Sequence, residues 1–214
     1  MLICRKLLAM LIFLSIVTPP LFSYAEEEIE NKIDITESND KIIAIISGSK
    51  AIEFELRLKE NVLWSDSNGH LGAFLTNQRF FVISTASSSW QSMSLKLDES
   101  EKGTASLSPY IALLVTPDRA IAFDARSNRF SEVQLPLHDE LLAAEVDKYV
   151  AIVITNSRAF GISLKSPDFT EIPFRLGESV EKINITSSKA TVQTSDRLLT
   201  FGAKTSTWIE HRLN

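Results

Sequence analysis

Cysteine is nearly missing from this chain of 214 residues: there is one, Cys4, and it lies in the first few positions. Glycine and proline number seven each and histidine three, and no stretch after the amino-terminal segment keeps a helical period. These scarcities exclude several chemistries. No phosphate-cradling or dinucleotide glycine loop and no Gly-x-Ser-x-Gly elbow can be written. His70, His138 and His211 stand far apart with no cysteine beside them, so the spacing of a zinc site is missing and no cofactor is expected. A formal net charge of −5 disfavours nucleic acid and anionic lipid as partners.

The amino-terminal segment reads as a signal peptide. Arg5 and Lys6 form a positive head, Leu7 to Val17 an apolar run, Pro19 and Pro20 a break, and Ser23-Tyr24-Ala25 a small-residue cleavage site. A bilayer span needs about 20 apolar residues, and this run is shorter. Residues 1–25 are therefore expected to be removed, leaving a chain that is exported, periplasmic or secreted, without stable membrane insertion and without disulfides. Residues 26–30, "EEEIE", read as an acidic disordered tail, and residues 31–214 as one domain.

The domain is written as a repeat. Thr76, Thr116, Thr155 and Thr194 are spaced by 40, 39 and 39 residues. Three positions on stand Arg79, Arg119, Arg158 and Arg197; fourteen on stand Trp90, Phe130, Phe169 and Trp208; nineteen on stand Leu95, Leu135, Phe174 and Leu213. Each unit divides into four short strands, as in "VEKINIT", "KATVQT", "RLLTFGA" and "WIEHRL". Second strands such as "AIVIT" and "ALLVT" are apolar throughout, which implies burial on both faces. Fourth strands such as "FSEVQL" mix polar and apolar residues, and Pro173 in one of them requires an edge. An earlier, shorter unit matches Ser47-Gly48-Ser49-Lys50 to the Thr-x-x-Arg step. It is expected to lack its outer, fourth strand, leaving the strand from Ala51 to Leu58 as an edge open to a partner strand.

Four antiparallel strands every 39 or 40 residues resemble the blades of a β-propeller, with a layout similar to WD-repeat blades. The Gly-His and Trp-Asp signatures of that family are missing, as are those of quinoprotein and Kelch blades. The resemblance implies an all-β fold: a small propeller of five blades, each an antiparallel four-stranded sheet, the first short of its outer strand. A β-sandwich does not require the constant period.

Three functional readings follow. The first is an exported, non-catalytic propeller that serves as a protein-binding or scaffold module for a partner in the cell envelope. The second is a lectin that stacks glycans on Trp90, Phe130, Phe169 and Trp208, although such rings also pack between blades. The third is a glycosidase using inner-strand acids such as Asp34 and Glu145 among the polar positions Ser106, Asp147 and Asn184. Lys50, Arg79, Arg119, Arg158 and Arg197 are expected to form a cationic ring on one face, beside the acidic loops at Asp98, His138 and Gly177. The ring either captures an anionic partner or ties each arginine to an acidic loop. Glu132, Glu171 and Glu210 read as solvated outer-strand charges that guard the edges.

Overall fold

The computed structural model describes residues 29–38, 40–48 and 51–213; the expected signal peptide, residues 26–28 of the acidic tail and Lys50 lie outside them. The described residues build five antiparallel sheets in chain order. The first holds β1 (Ile33–Ser38), β2 (Lys41–Ile46) and β3 (Ala51–Glu55). The second holds β4 (Val62–Asn68), β5 (Leu71–Thr76), β6 (Arg79–Ser84) and β7 (Gln91–Ser94). A single helical turn, α1 (Glu99–Lys102), precedes the third: β8 (Thr104–Leu107), β9 (Ile111–Val115), β10 (Arg119–Asp124) and β11 (Arg129–Gln134). The fourth holds β12 (Leu141–Asp147), β13 (Val150–Thr155), β14 (Arg158–Ser163) and β15 (Ser166–Pro173). The fifth holds β16 (Val180–Thr186), β17 (Lys189–Thr194), β18 (Arg197–Gly202) and β19 (Trp208–Arg212). Each sheet pairs neighbour with neighbour, which is the blade of a five-bladed β-propeller.

Burial follows the pattern of the strands. Every residue of β5, β9 and β13 is buried, because blades on both sides cover these apolar strands. Fourth strands such as β11 alternate between half-buried and exposed. Apolar clusters join successive blades: Ile33 and Ala44 with Ile83, Leu75 and Phe80 with Leu114 and Phe123, Leu113 and Ala122 with Val153 and Phe160, Ile152 and Ile154 with Val192 and Phe201. Among the described residues no such cluster joins the fifth blade to the first.

The first blade has three strands, as expected, but the missing strand is the inner one. The backbone hydrogen bonds set the register. Lys32 N donates to Gly69 O at 2.9 Å as His70 N donates to Pro109 O at 3.1 Å, one blade on. Ser47 N to Lys32 O (2.8 Å) repeats Thr85 N to His70 O (3.0 Å), and Leu56 N to Asp40 O repeats Leu95 N to Gln78 O, both 2.8 Å. Strands β1 to β3 therefore hold the second, third and fourth positions. Ser38 and Lys41, not Ser47 and Lys50, stand where other blades have Thr and Arg. The likeness of "NKIDIT" to a first strand misleads because Ile33 and Ile35 do a second strand's work: they pack over Gly72, where a Cβ would lie 2.9 Å from either side chain.

The propeller has two faces. The upper carries the connections from fourth strands to the next first strands, together with the Thr-x-x-Arg hairpins. The lower carries the turns between first and second strands and those between third and fourth.

Blades meet closely where Phe201 lies on Gly161, whose added Cβ would sit 2.7 Å from the ring. Gly161→Ala is expected to cost about 1–3 kcal/mol by overpacking, and Phe201→Leu in the same chain to recover part of that loss. Thermal melting of the two single variants and the double variant checks this; additive losses would refute the contact.

Candidate functional site

The Thr-x-x-Arg hairpins are closed by the threonine itself. Thr76 Oγ1 accepts from Arg79 N at 2.9 Å and from Gln78 N at 3.1 Å, and the same hydroxyl lies 3.1 Å from Arg79 O. Thr116, Thr155 and Thr194 repeat the bond to the arginine amide at 3.1–3.2 Å. No central residue of these turns has positive φ, which agrees with Pro117 excluding a type I′ turn.

A carboxylate from the incoming loop then fills the hairpin. Glu60 takes Arg79 Nε at 3.0 Å and Nη2 at 2.6 Å, and also Arg57 N at 3.0 Å and the Thr76 hydroxyl at 2.8 Å. Glu99 holds Arg119 at 2.9 and 2.8 Å, and Glu178 holds Arg197 at 2.9 Å through both nitrogens. Arg119 Nη2 also donates to Ser94 O (2.8 Å), and Arg197 Nη2 to Pro173 O (2.7 Å), each on the preceding blade's outer strand. One guanidinium thus locks a turn, a loop and a neighbouring blade.

Burial would raise these carboxyls, but the arginine and a backbone amide, joined at Glu60 and Glu178 by the threonine hydroxyl, outweigh it. Glu60 and Glu99 are held below the usual range and Glu178 at about 2. Hydrogen bonds to the same acids raise Arg119 and Arg197 against the effect of burial.

The expected cationic ring is consequently internal. Arg79, Arg119 and Arg197 are 8%, 6% and 4% exposed, and their donors already face carboxylates. Lys41 holds the first blade's place and pairs with Glu53 and Glu55 on the outer strand. Arg79 lacks an outer-strand acid; its guanidinium sits instead 4.4 Å from the Phe81 ring centre. In the fourth blade the loop supplies Asp139, one methylene shorter. It accepts from the Thr155 and Ser157 hydroxyls, while Arg158 pairs with Glu171 at 3.2 Å, donates to Ser157 Oγ at 3.4 Å and stays about a third exposed. Glu132 and Glu210 also take arginine donors, so they are ion-pair partners as well as edge charges.

The repeated aromatics face their neighbours. Trp90 meets Phe74 edge-on at 4.8 Å and donates to Ile52 O, and Trp208 donates to Thr170 O at 3.2 Å. Phe130 packs on Phe123 and Phe80, and Phe169 on the cluster between third and fourth blades. Asp34 is exposed between the inward-packing Ile33 and Ile35, on the face of the first blade turned away from the second. Glu145 alternates with Ala144 and Val146, which pack toward the third blade, so it points toward the fifth. The two acids stand on either side of the fifth blade and are not brought together. Ser106 and Asp147 lie half-buried on β8 and β12, and Asn184 lines a groove on the fifth blade.

A different set converges on the lower face. Tyr110, Arg126, Tyr149, Leu164, Lys165, Ser188, Ala203 and Lys204 line an open cavity of about 570 Å³. His70, Tyr110 and Tyr149 stack in series at the first-to-second-strand turns, 4.9 and 5.5 Å between centres. His70 is held below its usual pKa by burial and by Lys32. Arg126, Lys165 and Lys204 come from the third-to-fourth-strand turns of three successive blades, exposed and without an ion pair among the described residues. Sequence reasoning missed them, although their spacing of 39 residues is the repeat's own.

No protein-family model matches the chain, and no curated protein matches it. Solved structures similar to it include the amino-terminal domain of Nup159 (11% identity, TM-score 0.39, 87% of this chain and 60% of that one). Human WBSCR16 is similar at 10% identity (TM-score 0.37, 86% and 68%), and Prp20p of Saccharomyces cerevisiae at 6% (TM-score 0.41, 80% and 58%). The chain spans about three fifths to two thirds of the length of these structures.

The ties set two expectations. Arg119→Ala and Arg197→Ala each leave a buried acid unpaired and should cost about 3–5 kcal/mol, whereas Arg158→Ala should cost under about 1 kcal/mol. Equal losses in denaturant titrations would refute the distinction. The second concerns pH. A carboxyl depressed in the folded state stabilises fully above its unfolded value, near 4.5, and loses that contribution as pH falls toward the folded value. The melting temperature should fall between about pH 4.5 and pH 2, less steeply in Glu178→Gln measured against its own neutral-pH value.

Proposed function

We propose that the protein is an exported, non-catalytic binding module of the cell envelope whose lower-face cavity grips an acidic segment of a protein partner. One observation carries the reading: three cations from three blades, without an ion pair among the described residues, surround an apolar floor of Leu164 and Ala203 beside two stacked tyrosines. Cations with no internal partner are free to take carboxylates, and the floor and tyrosines take the apolar part of the same segment. Arg79, Arg119 and Arg197 serve as scaffold in this reading, because an anion could use them only by displacing Glu60, Glu99 or Glu178. An acidic glycan is the second reading, favoured by the exposed Tyr149 ring beside Lys165.

Fluorescence titration with a labelled peptide of alternating Glu and Tyr, and separately with an oligo-uronate, tests both. Arg126→Ala, Lys165→Ala and Lys204→Ala should each weaken capture of the peptide about two- to fivefold, with affinity falling as salt rises. Preference for the oligo-uronate supports the glycan instead. Binding of both probes unchanged in the triple variant removes the cavity from consideration.

A further inference from the structure

Four upper-face connections contain a turn whose second side chain is left in solvent. The four turns are Arg57-Leu58-Lys59-Glu60, Lys96-Leu97-Asp98-Glu99, Pro136-Leu137-His138-Asp139 and Arg175-Leu176-Gly177-Glu178. Each is closed by the same bond, from the amide of the last residue to the carbonyl of the first, at 3.0–3.3 Å. The third residue is left-handed in all four: φ is 64° at Lys59, 66° at Asp98, 72° at His138 and 79° at Gly177. Only one of these is glycine, so three turns hold a costly conformation. The second residue is a leucine every time, exposed by 90%, 92%, 81% and 107%. Leu63 and Leu142, bulged out at the register shifts that open β4 and β12, are nearly half exposed on the same side.

A left-handed turn repeated four times, three times without glycine, to display an exposed leucine calls for a partner. We propose that this ring of leucines seats the upper face on a lipid bilayer surface. Two features choose a bilayer over a protein. The leucines stand singly on separate turns of separate blades, so a protein would need four matched pockets, whereas acyl chains accept each tip independently. The cations beside three of them also suit headgroup phosphates, although Asp98 beside Leu97 is an exposed acid. Arg57 and Lys59 flank Leu58 with no ion pair among the described residues, and Lys96 and Arg175 precede Leu97 and Leu176 with only long contacts, 4.0 and 3.7 Å. The acids just behind, Glu60, Glu99 and Glu178, are buried and already neutralised by arginine. Identical turn geometry aims the tips alike relative to their blades, which a planar surface requires.

Flotation of the chain comprising residues 26–214 with phosphatidylcholine vesicles, with and without a minor fraction of phosphatidylglycerol, is the test. The wild-type chain should float with the vesicles. Each single Leu→Ser change at residues 58, 97, 137 or 176 should lower partitioning about three- to tenfold, and the fourfold variant should stay in solution with an unchanged melting curve. Leu137→Trp should show a blue-shifted emission on adding vesicles, reporting entry into the interface. Arg126→Ala, in the lower cavity, should float normally, which separates this proposal from the one above. Failure of the wild-type chain to float, or flotation of the fourfold variant, overturns it. An unshifted Leu137→Trp in a chain whose fourfold variant loses a co-purifying protein overturns it in favour of a protein partner.

Discussion

The carboxylate that drops from the incoming loop onto an arginine behind a two-residue turn, in the second, third and fifth blades, is the constraint on which the rest of the structure depends. Apolar strands stacked radially do not by themselves determine how one blade connects to the next, because hydrophobic contact has no direction. The guanidinium fork does. In the third and fifth blades it is bidentate to Glu99 or Glu178 and reaches the preceding blade's outer strand through Ser94 O or Pro173 O, so the entry path of the chain is pinned to the blade it enters. Burying such a pair gains little net stability after desolvation, but breaking it strands a charge in the interior. The tie therefore acts mainly as a register device, and the left-handed Lys59 and Asp98 before Glu60 and Glu99 are strain that it holds in place.

That device also divides the molecule electrostatically. On the upper face, cations and acids of the ties cancel each other inside the protein, leaving leucine tips and a few flanking charges outside. On the lower face the turns are tied by shorter means, such as Ser163 Oγ with Ser206 Oγ and Asp124 with the Arg126 amide, which engage no cation side chain. Arg126, Lys165 and Lys204 are consequently available to solvent. A net acidic protein thus carries an unpaired cationic cluster on the face where its aromatic series also lies.

Much of this was legible in sequence because the repeat amplifies it. The period and the four strands follow from residues whose physical roles recur four times, the doubly buried second strands from runs that recur three times, and the edge position from Pro173 alone. The acidic loops beside the arginines were visible too, at Asp98, His138 and Gly177, but whether the partner would be bidentate was not. Glutamate and aspartate differ there by one methylene, and that difference leaves Arg158 half out of its tie. The missing strand was misassigned because "SGSK" and "SNDK" are equally good polar turns before an apolar strand. Only the backbone bonds of Lys32 and Leu56 decide between them. The leucines and lower-face cations escaped because exposed residues leave no hydrophobic period, although both keep the spacing of the repeat.

The seam between the first and last blades follows from the same alternation of burial. In β13 both faces are apolar, and blades lie on both sides. In β17, "KATVQT", only Ala190, Val192 and Thr194 are buried, toward the fourth blade, while Thr191 and Gln193 join Lys182, Asn184 and Leu198 along an open groove of about 350 Å³ on the other face. The first blade answers with Asp34 and Glu53 exposed around Ile43 and Ile45. Two such faces cannot interdigitate as an apolar core does, because each polar group would need a partner in place of water. The fifth blade is written as an amphipathic cap, the form that ends a stack of repeats without leaving an apolar face in solvent. Apolar cohesion between blades therefore runs from first to fifth through four lines of core, and among the described residues no fifth line closes the seam.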